Sequence, residues 1–367
     1  MSPVFDGRVG LQQRVLPHYR QAFFDRLAAA CGDGLSVFAG QPRPNEAILA
    51  AEDLDQAQFW PACNRHILSG PLYLCSQPEI LTWLEATQPD VLILEANPRY
   101  LSNRKAIGWM KARQKPVIGW GLGATPATGL LAPIRRAARR SYYAPFDAMI
   151  AYSRQGAEQF AAYGLPPEAL FVALNSVAPA PADLPTRPPL KNRPVRILFV
   201  GRLQPRKRVD LLLRACQALQ QKVELRLVGD GPARDTWEQL ANRAFPPAEF
   251  TGALTGQDLD RQYQWADVFV LPGTGGLAVQ EAMAHGLPVI VAQGDGTQRD
   301  LVNANTGWLV DPGDLDSLNS ALQTALNQPD RLAEMGRAAH QFVTQHANID
   351  AMVGVFVQAL QYVRGEA

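Results

Sequence analysis

Short apolar runs alternate with longer helical patterns along most of this chain, and no other feature limits its fold as tightly. In the first half the runs lie at 35–38, 90–94, 116–120, 147–151 and 170–174, and in the second at 195–200, 223–228, 267–271, 288–291 and 307–310. Helical patterns fill the intervals, among them 19–30, 78–86, 209–220, 257–265, 277–285 and 315–326. A strand that reads as a continuous apolar run is covered on both faces, and alternation with helices gives parallel sheets. The pattern occurs twice, on either side of residues 178–194, where Pro179, Pro181, Pro185, Pro188, Pro189 and Pro194 crowd together. Proline at that density stiffens a chain and cannot enter a sheet interior, so this segment is expected as an interdomain linker. The expected fold class is α/β, with two doubly wound, Rossmann-like parallel-sheet domains at 1–177 and 195–348. The stretch 331–364 continues as helix without a further strand, and its last part, 349–365, is expected to pack back on the first domain.

Composition agrees with two ordinary cores. A 367-residue chain with 47% apolar and 19% charged residues reads as soluble and globular. Its 35 basic and 34 acidic residues give no charge bias toward nucleic acid. Cys31, Cys63, Cys75 and Cys216 show neither C-x-x-C pairing nor a histidine at metal spacing, and they are expected as buried thiols in a reducing cytoplasm. No cationic segment followed by an apolar stretch opens the chain, and its apolar runs are strand-sized. Neither a signal peptide nor a spanning helix is expected.

Chemistry concentrates in the second half. The run at 195–200 ends in Gly201-Arg202-Leu203-Gln204-Pro205-Arg206-Lys207-Arg208, directly before a helical pattern. Ligands of open parallel sheets lie outside the carboxyl ends of strands, where the amides opening the next helix add positive potential. There Arg202 offers a planar fork and Lys207 a point charge, a pair suited to a diphosphate. Further on, the run at 267–271 leads through Pro272-Gly273-Thr274-Gly275-Gly276 into a helix carrying Glu281. Glycines there let the backbone approach a ligand, and free amides at the helix start make an anion nest. Glu281 interrupts an otherwise apolar helix, and its carboxylate suits two neighbouring ribose hydroxyls.

Four motifs in register carry a resemblance. G-R-L-Q-P-R-K-R at 201–208, V-G-D-G-P at 228–232, A-D-V-F-V-L-P at 266–272 and Q-E-A-M-A-H-G-L-P-V-I at 280–290 resemble the donor-binding half of family 4 retaining glycosyltransferases. That resemblance implies the GT-B fold, two Rossmann-like domains facing a cleft. It implies Arg202 and Lys207 on the donor diphosphate, next to Gly201, and Glu281 on the ribose, as the second glutamate of an E-x7-E motif. It further implies Gly229, Gly231, Ala253 and Leu254 around the base, and Thr274, Gly275, Gly276 and Leu277 near phosphate and sugar. The implied reaction moves a hexose from a nucleoside-diphosphate sugar, UDP before GDP, to a hydroxyl of a glycan, lipid-linked or small-molecule acceptor. No cofactor and no metal is implied. The first glutamate of the motif is missing: eight residues before Glu281 stands Gly273. A non-catalytic nucleotide-sugar binder or partner subunit is therefore the alternative.

The acceptor side is less defined. Val9-Gly10-Leu11 stands where the family has a glycine-rich first loop, and Pro17 at a helix start would turn His18 and Arg20 toward the cleft. Arg135, Arg136, Arg139 and Arg140 form a cationic helix face beside Tyr142, Tyr143 and Phe146, suited to the inner face of a membrane or a lipid diphosphate. A nicotinamide-dependent oxidoreductase is the weaker rival: Gly119-Trp120-Gly121-Leu122-Gly123 lacks both the spacing and the early position of a dinucleotide loop.

Overall fold

The computed structural model describes residues 5–46, 48–187, 190 and 193–366. Pro188 and Pro189 of the expected linker lie outside the described residues. The chain divides into two compact units, one made of residues 1–177 with 349–367, the other of residues 178–348.

In the first unit, β1 (Val9–Val15), β2 (Leu35–Gly40) and β3 (Gln58–Ala62) are followed by a small antiparallel pair, β4 (Arg65–Ile67) and β5 (Leu74–Ser76). Next come β6 (Val91–Glu95), β7 (Val117–Gly121), β8 (Ala148–Ala151) and β9 (Leu170–Val172). All strands but the small pair join one parallel sheet, in the order β3-β2-β1-β6-β7-β8-β9. Its connecting helices are α1 (Gln21–Ala28), α2 (Ile80–Thr87), α3 (Leu101–Lys111), α4 (Ala132–Tyr143) and α5 (Arg154–Ala161).

The central strand β1 is one that the hydrophobic pattern hides. It carries Gln12, Gln13 and Arg14 where an apolar run would be recognised, yet both glutamines are buried. Their amides are satisfied: Gln12 Nε2 donates to Gln77 Oε1 (2.6 Å), Gln12 Oε1 accepts from the Glu95 amide (3.2 Å), and Gln77 Nε2 donates to the Gln13 carbonyl (3.1 Å). Buried polar groups are tolerated on that condition. The expectation of a loop at 9–11 is thereby corrected. Gly10 sits inside β1, opposite Ser36 and Leu92, and a β-carbon on it would lie 3.1 Å from Trp83 Cη2 and 3.2 Å from Pro89.

The second unit contains β10 (Val195–Val200), β11 (Val223–Val228), β12 (Ala248–Gly252), β13 (Val268–Leu271), β14 (Val289–Ala292) and β15 (Gly307–Val310). They form a parallel sheet in the order β12-β11-β10-β13-β14-β15. Its helices are α6 (Val209–Ala218), α7 (Arg234–Ala244), α8 (Gly256–Trp265), α9 (Leu277–Ala284), α10 (Thr297–Leu301), α11 (Leu315–Leu326) and α12 (Pro329–His346). The strand order repeats the doubly wound dinucleotide-binding arrangement. The helical stretch expected at 331–364 is two helices rather than one. After Ala347 and Asn348, α13 (Ile349–Arg364) joins the first unit, where Phe356 meets Phe23 and Trp120, each at a ring separation of 5.0 Å.

Two arginines tie down the proline-rich segment, Arg193 through Asp267 (2.6 and 2.8 Å) and Arg187 through helix-end carbonyls. Arg187 donates to the carbonyls of Ala266 (2.9 Å), Tyr263 (3.0 Å), Gly286 (3.2 Å) and His285 (2.6 Å). Those carbonyls belong to the ends of α8 and α9, whose last turns lack helical partners, and a guanidinium satisfies several at once. Burial pushes its pKa down to about 10. Arg187→Ala is expected to cost about 2–4 kcal/mol, because hydrogen bonds to a charged donor are worth about 1.5–3 kcal/mol and helix-end carbonyls lose their partner. Chemical denaturation of the purified variant checks this; an unchanged midpoint would remove Arg187 from the account.

The cysteine expectation is corrected at one position. Cys31, Cys75 and Cys216 are buried, and burial pushes Cys31 and Cys216 up to about 12, but Cys63 is exposed.

Candidate functional site

In the second sheet the winding reverses between β10 and β13, which pair directly through Ile197↔Val268 and Leu198↔Phe269. Ligands of open parallel sheets lie outside the carboxyl ends of the strands at such a reversal. The loops leaving β10 and β13 are the two that carry the candidate phosphate residues, 201–208 and 272–276.

Glycines allow these loops to touch. A β-carbon on Gly229 would stand 2.1 Å from the Gly201 carbonyl oxygen, and one on Gly231 would stand 2.5 Å from that of Leu203. The segments after β10 and β11 therefore lie backbone against backbone, joined by Leu203 N–H donating to the Asp230 carbonyl (2.9 Å). Gly273 is nearly as tight and bears directly on function. A β-carbon there would lie 2.2 Å from the Arg206 carbonyl oxygen and 2.5 Å from the Lys207 carbonyl carbon. The position that holds a glutamate in the resembling family has no room for any side chain here. Next to it, Thr274 N–H donates to the Arg206 carbonyl (3.1 Å), and Arg206 Nη1 donates to Thr274 Oγ1 (3.0 Å).

Lys207 is drawn into this crossing. It is 8% exposed, and its Nζ donates to the Thr274 carbonyl (2.7 Å). A β-carbon on Gly275 would lie 2.5 Å from that nitrogen, so the absence of a side chain at 275 makes space for the ammonium. Burial, aided by the neighbouring Arg206 cation and opposed by Asp295, pushes the Lys207 pKa down to about 8. Arg202 is exposed and makes no hydrogen bond or ion pair among the described residues. Among the described residues, the amides of Gly275, Gly276 and Leu277 have no acceptor, while α9 begins at Leu277. A desolvated ammonium, a free guanidinium and open helix-end amides form an anion cradle.

Glu281 stands one turn further along α9. Its carboxylate accepts from the hydroxyl of the fully buried Tyr263 (3.0 Å), whose ring stacks on His285 at 4.7 Å. Burial raises the Glu281 pKa, and the Tyr263 hydrogen bond works against that rise. Tyr263 was not singled out by sequence reasoning; its signal, an aromatic in a mostly polar α8 that also carries Leu259 and Trp265, is weak. Gln298 was missed as well, for its partners are visible only in the fold. It is completely buried, donating from Nε2 to the Gly275 carbonyl (2.8 Å) and accepting at Oε1 from the Gly294 amide (3.1 Å). Ala253 and Leu254 follow β12, where Gly252 takes a left-handed φ of 80°, and they end up at the same strand-end side as the other loops.

In the first unit the candidate acceptor residues separate. His18 is exposed, whereas Arg20 is buried, its Nη2 donating to Asn175 Oδ1 (2.7 Å) and to the Tyr152 hydroxyl (3.1 Å) with its guanidinium over the Trp120 ring. The expected outward turn of Arg20 is corrected: packing claims it. On α4, Arg135, Arg136 and Arg140 are exposed, while Arg139 donates to the Thr125 carbonyl and the Tyr163 hydroxyl. Tyr142, Tyr143 and Phe146 are core residues, a second correction, and the exposed apolar groups near the arginines are instead Leu130, Leu131 and Ile134. Among the described residues, no helix is long and apolar enough to cross a membrane.

Two parallel-sheet units, the second with an anion cradle at its winding reversal, give the chain the GT-B fold. Residues 183–342 match the family model described as glycosyl transferases group 1. It is 35% identical over 152 residues to sulfoquinovosyl transferase SQD2 of Arabidopsis thaliana, covering 40% of this chain and 29% of that one. It is 31% identical over 236 residues to GDP-mannose-dependent alpha-(1-6)-phosphatidylinositol monomannoside mannosyltransferase of Mycolicibacterium smegmatis, covering 57% and 61%. The chain thus spans under two thirds of the length of these relatives. A similar solved structure is that of HepE of Anabaena in complex with UDP, with a TM-score of 0.72 at 16% identity over 97% of this chain and 99% of that one.

Proposed function

We propose that this chain is a retaining, metal-independent glycosyltransferase that moves a hexose from a nucleoside-diphosphate sugar to a hydroxyl of a glycan, lipid-linked or small-molecule acceptor. The observation that carries the reading is the convergence of Lys207, the open amides at 275–277 and Glu281 at one end of one sheet. In this reaction the bond from the anomeric carbon to the diphosphate oxygen breaks and the acceptor oxygen takes its place on the same face. The acceptor proton passes to the departing phosphate oxygen. The protein then needs no base of its own; it must hold the diphosphate and neutralise the charge that grows on it, the task Arg202, Lys207 and the amides suit. Glu281 holds the ribose.

UDP and GDP are the two bases to test, the first favoured by the motif resemblance and the second by relatives whose names specify GDP-mannose. Exposed arginines of α4 beside Leu130, Leu131 and Ile134 favour an acceptor or membrane surface carrying negative charge, reached from the cytoplasmic side. A nucleotide-sugar binder without turnover is the second reading, favoured by the filled space at Gly273.

Thermal shift with UDP, GDP, dTDP, ADP and NAD tests the site. A ligand at a hundred times its Kd adds about 2.7 kcal/mol. One nucleoside diphosphate is expected to raise the melting temperature, and Glu281→Ala is expected to weaken that ligand more than tenfold with the fold intact. A response to NAD alone would sink the proposal. Release of the nucleotide from its sugar conjugate in the presence of acceptor extract separates enzyme from binder.

A further inference from the structure

Gly273 leaves a question about the transferred sugar. The loop after β13 cannot present a carboxylate from that position, because the Arg206–Lys207 backbone occupies the space. The next strand in the sheet is β14, paired with β13 through Phe269↔Val289, Val270↔Ile290 and Leu271↔Val291. Parallel neighbours in register end together, so the loop leaving β14 must run beside the loop leaving β13.

Side chains lock the two loops to each other. Gln298 bridges them, donating to the Gly275 carbonyl and accepting from the Gly294 amide. A β-carbon on Gly294 would stand 3.5 Å from Thr274 Cγ2, and one on Gly276 would stand 3.4 Å from Thr297 Oγ1. In the middle of the second loop lies Asp295. Its Oδ1 accepts from Thr297 N–H (3.2 Å) and from Thr297 Oγ1 (2.6 Å), while Oδ2 takes no donor among the described residues. The carboxylate is exposed, and its charge is the one that reaches the Lys207 ammonium.

We infer that Asp295 supplies the sugar-binding carboxylate that the missing glutamate would have supplied, accepting hydroxyls of the hexose beyond the diphosphate from the loop after β14 instead of the loop after β13. This rests on the glycosyltransferase reading above. Oδ1 is spent on orientation, so Oδ2 meets the substrate, and the Gln298 bridge keeps the acid at a constant offset from the diphosphate cradle. A carboxylate placed this way distinguishes sugars by their hydroxyl pattern while leaving the nucleotide contacts alone.

The test compares a nucleotide with its own sugar conjugate. Calorimetric affinities of wild type, Asp295→Asn and Asp295→Ala would be measured for whichever of UDP, GDP, dTDP and ADP binds the wild type, and for the glucose or mannose conjugate of that nucleotide. Asparagine keeps the oxygen that Thr297 uses and replaces the free acceptor oxygen with an uncharged NH2 donor, so a change in loop shape is separated from a change in recognition. Expected is a bare-nucleotide Kd within about twofold of wild type in both variants. The conjugate is expected to bind about ten- to a hundredfold more weakly, as loss of hydrogen bonds to a charged acceptor implies. Unchanged conjugate affinity in Asp295→Ala overturns the inference. Equal weakening of nucleotide and conjugate overturns it too, since Asp295 would then serve the phosphates or the loop. A wild type that binds none of UDP, GDP, dTDP and ADP overturns the function proposed above, a different failure.

Discussion

Lys207→Met is expected to raise the melting temperature of the ligand-free protein while removing its response to nucleoside diphosphates. The lysine is 8% exposed and its pKa falls from 10.5 to about 8, chiefly through burial and secondly through Arg206. Holding the proton on a group depressed that far costs on the order of 3 kcal/mol at neutral pH. Losing the hydrogen bond to the Thr274 carbonyl takes back about 1–2 kcal/mol, so a net gain of about 1–2 kcal/mol remains. The sign follows from the direction of the shift: unfolded lysine keeps its proton to about 10.5, and the folded one begins to lose it near 8. The cost is therefore complete below pH 8 and fades between 8 and 10.5, and the difference between variant and wild type should shrink over that window. Nucleotide affinity of the wild type should fall as pH rises above 8, because the cradle loses its buried cation. Turnover in Lys207→Met is expected to drop about 10²–10³-fold, as when one contact to developing charge is removed. A variant that melts lower yet binds nucleotide normally would make Lys207 a structural residue.

Restoring the family glutamate should do harm. In Gly273→Glu the new β-carbon would begin 2.2 Å from the Arg206 carbonyl oxygen, a distance that backbone must yield to accommodate. The segment that would move is the one that places Lys207 and bonds Thr274. Overpacking of this kind costs about 1–3 kcal/mol or more. Gly273→Ala, which adds only the offending carbon, is expected to show most of that loss, with a melting temperature lower by about 2–4 °C for each kcal/mol. Both variants should lose nucleotide affinity together with stability. A Gly273→Glu protein with wild-type stability and faster turnover would mean that the loop has another available path, and that the glycine is not dictated by the backbone crossing.

This chain wore its second unit openly. Mostly apolar runs at 195–200, 223–228, 267–271, 288–291 and 307–310 became β10, β11, β13, β14 and β15, because strands covered on both faces need largely apolar side chains, Arg196, Glu224 and Arg226 being the charged exceptions in β10 and β11. The edge strand β12 escaped notice, since Ala-Glu-Phe-Thr-Gly is covered less and carries a glutamate. In the first unit β1 escaped for another reason: its buried glutamines are satisfied by Gln77 and Glu95, residues 65 and 83 positions away. No local pattern reports a partner at that distance.

The site divides along the same line. Glycine-rich turns with cations, and a glutamate in an apolar helix, are local and were readable as motif and spacing. That α/β domains of doubly wound type would form was likewise settled by periodicity and by one cluster of prolines. Only tertiary structure brought Lys207 onto the Thr274 carbonyl, 67 residues away, turned Arg20 inward against Trp120, and set Asp295 beside the diphosphate cradle. Those placements follow from which strands pair and in what register. Pairing is decided by the summed burial of whole strands and helices rather than by any residue that the pairing happens to position.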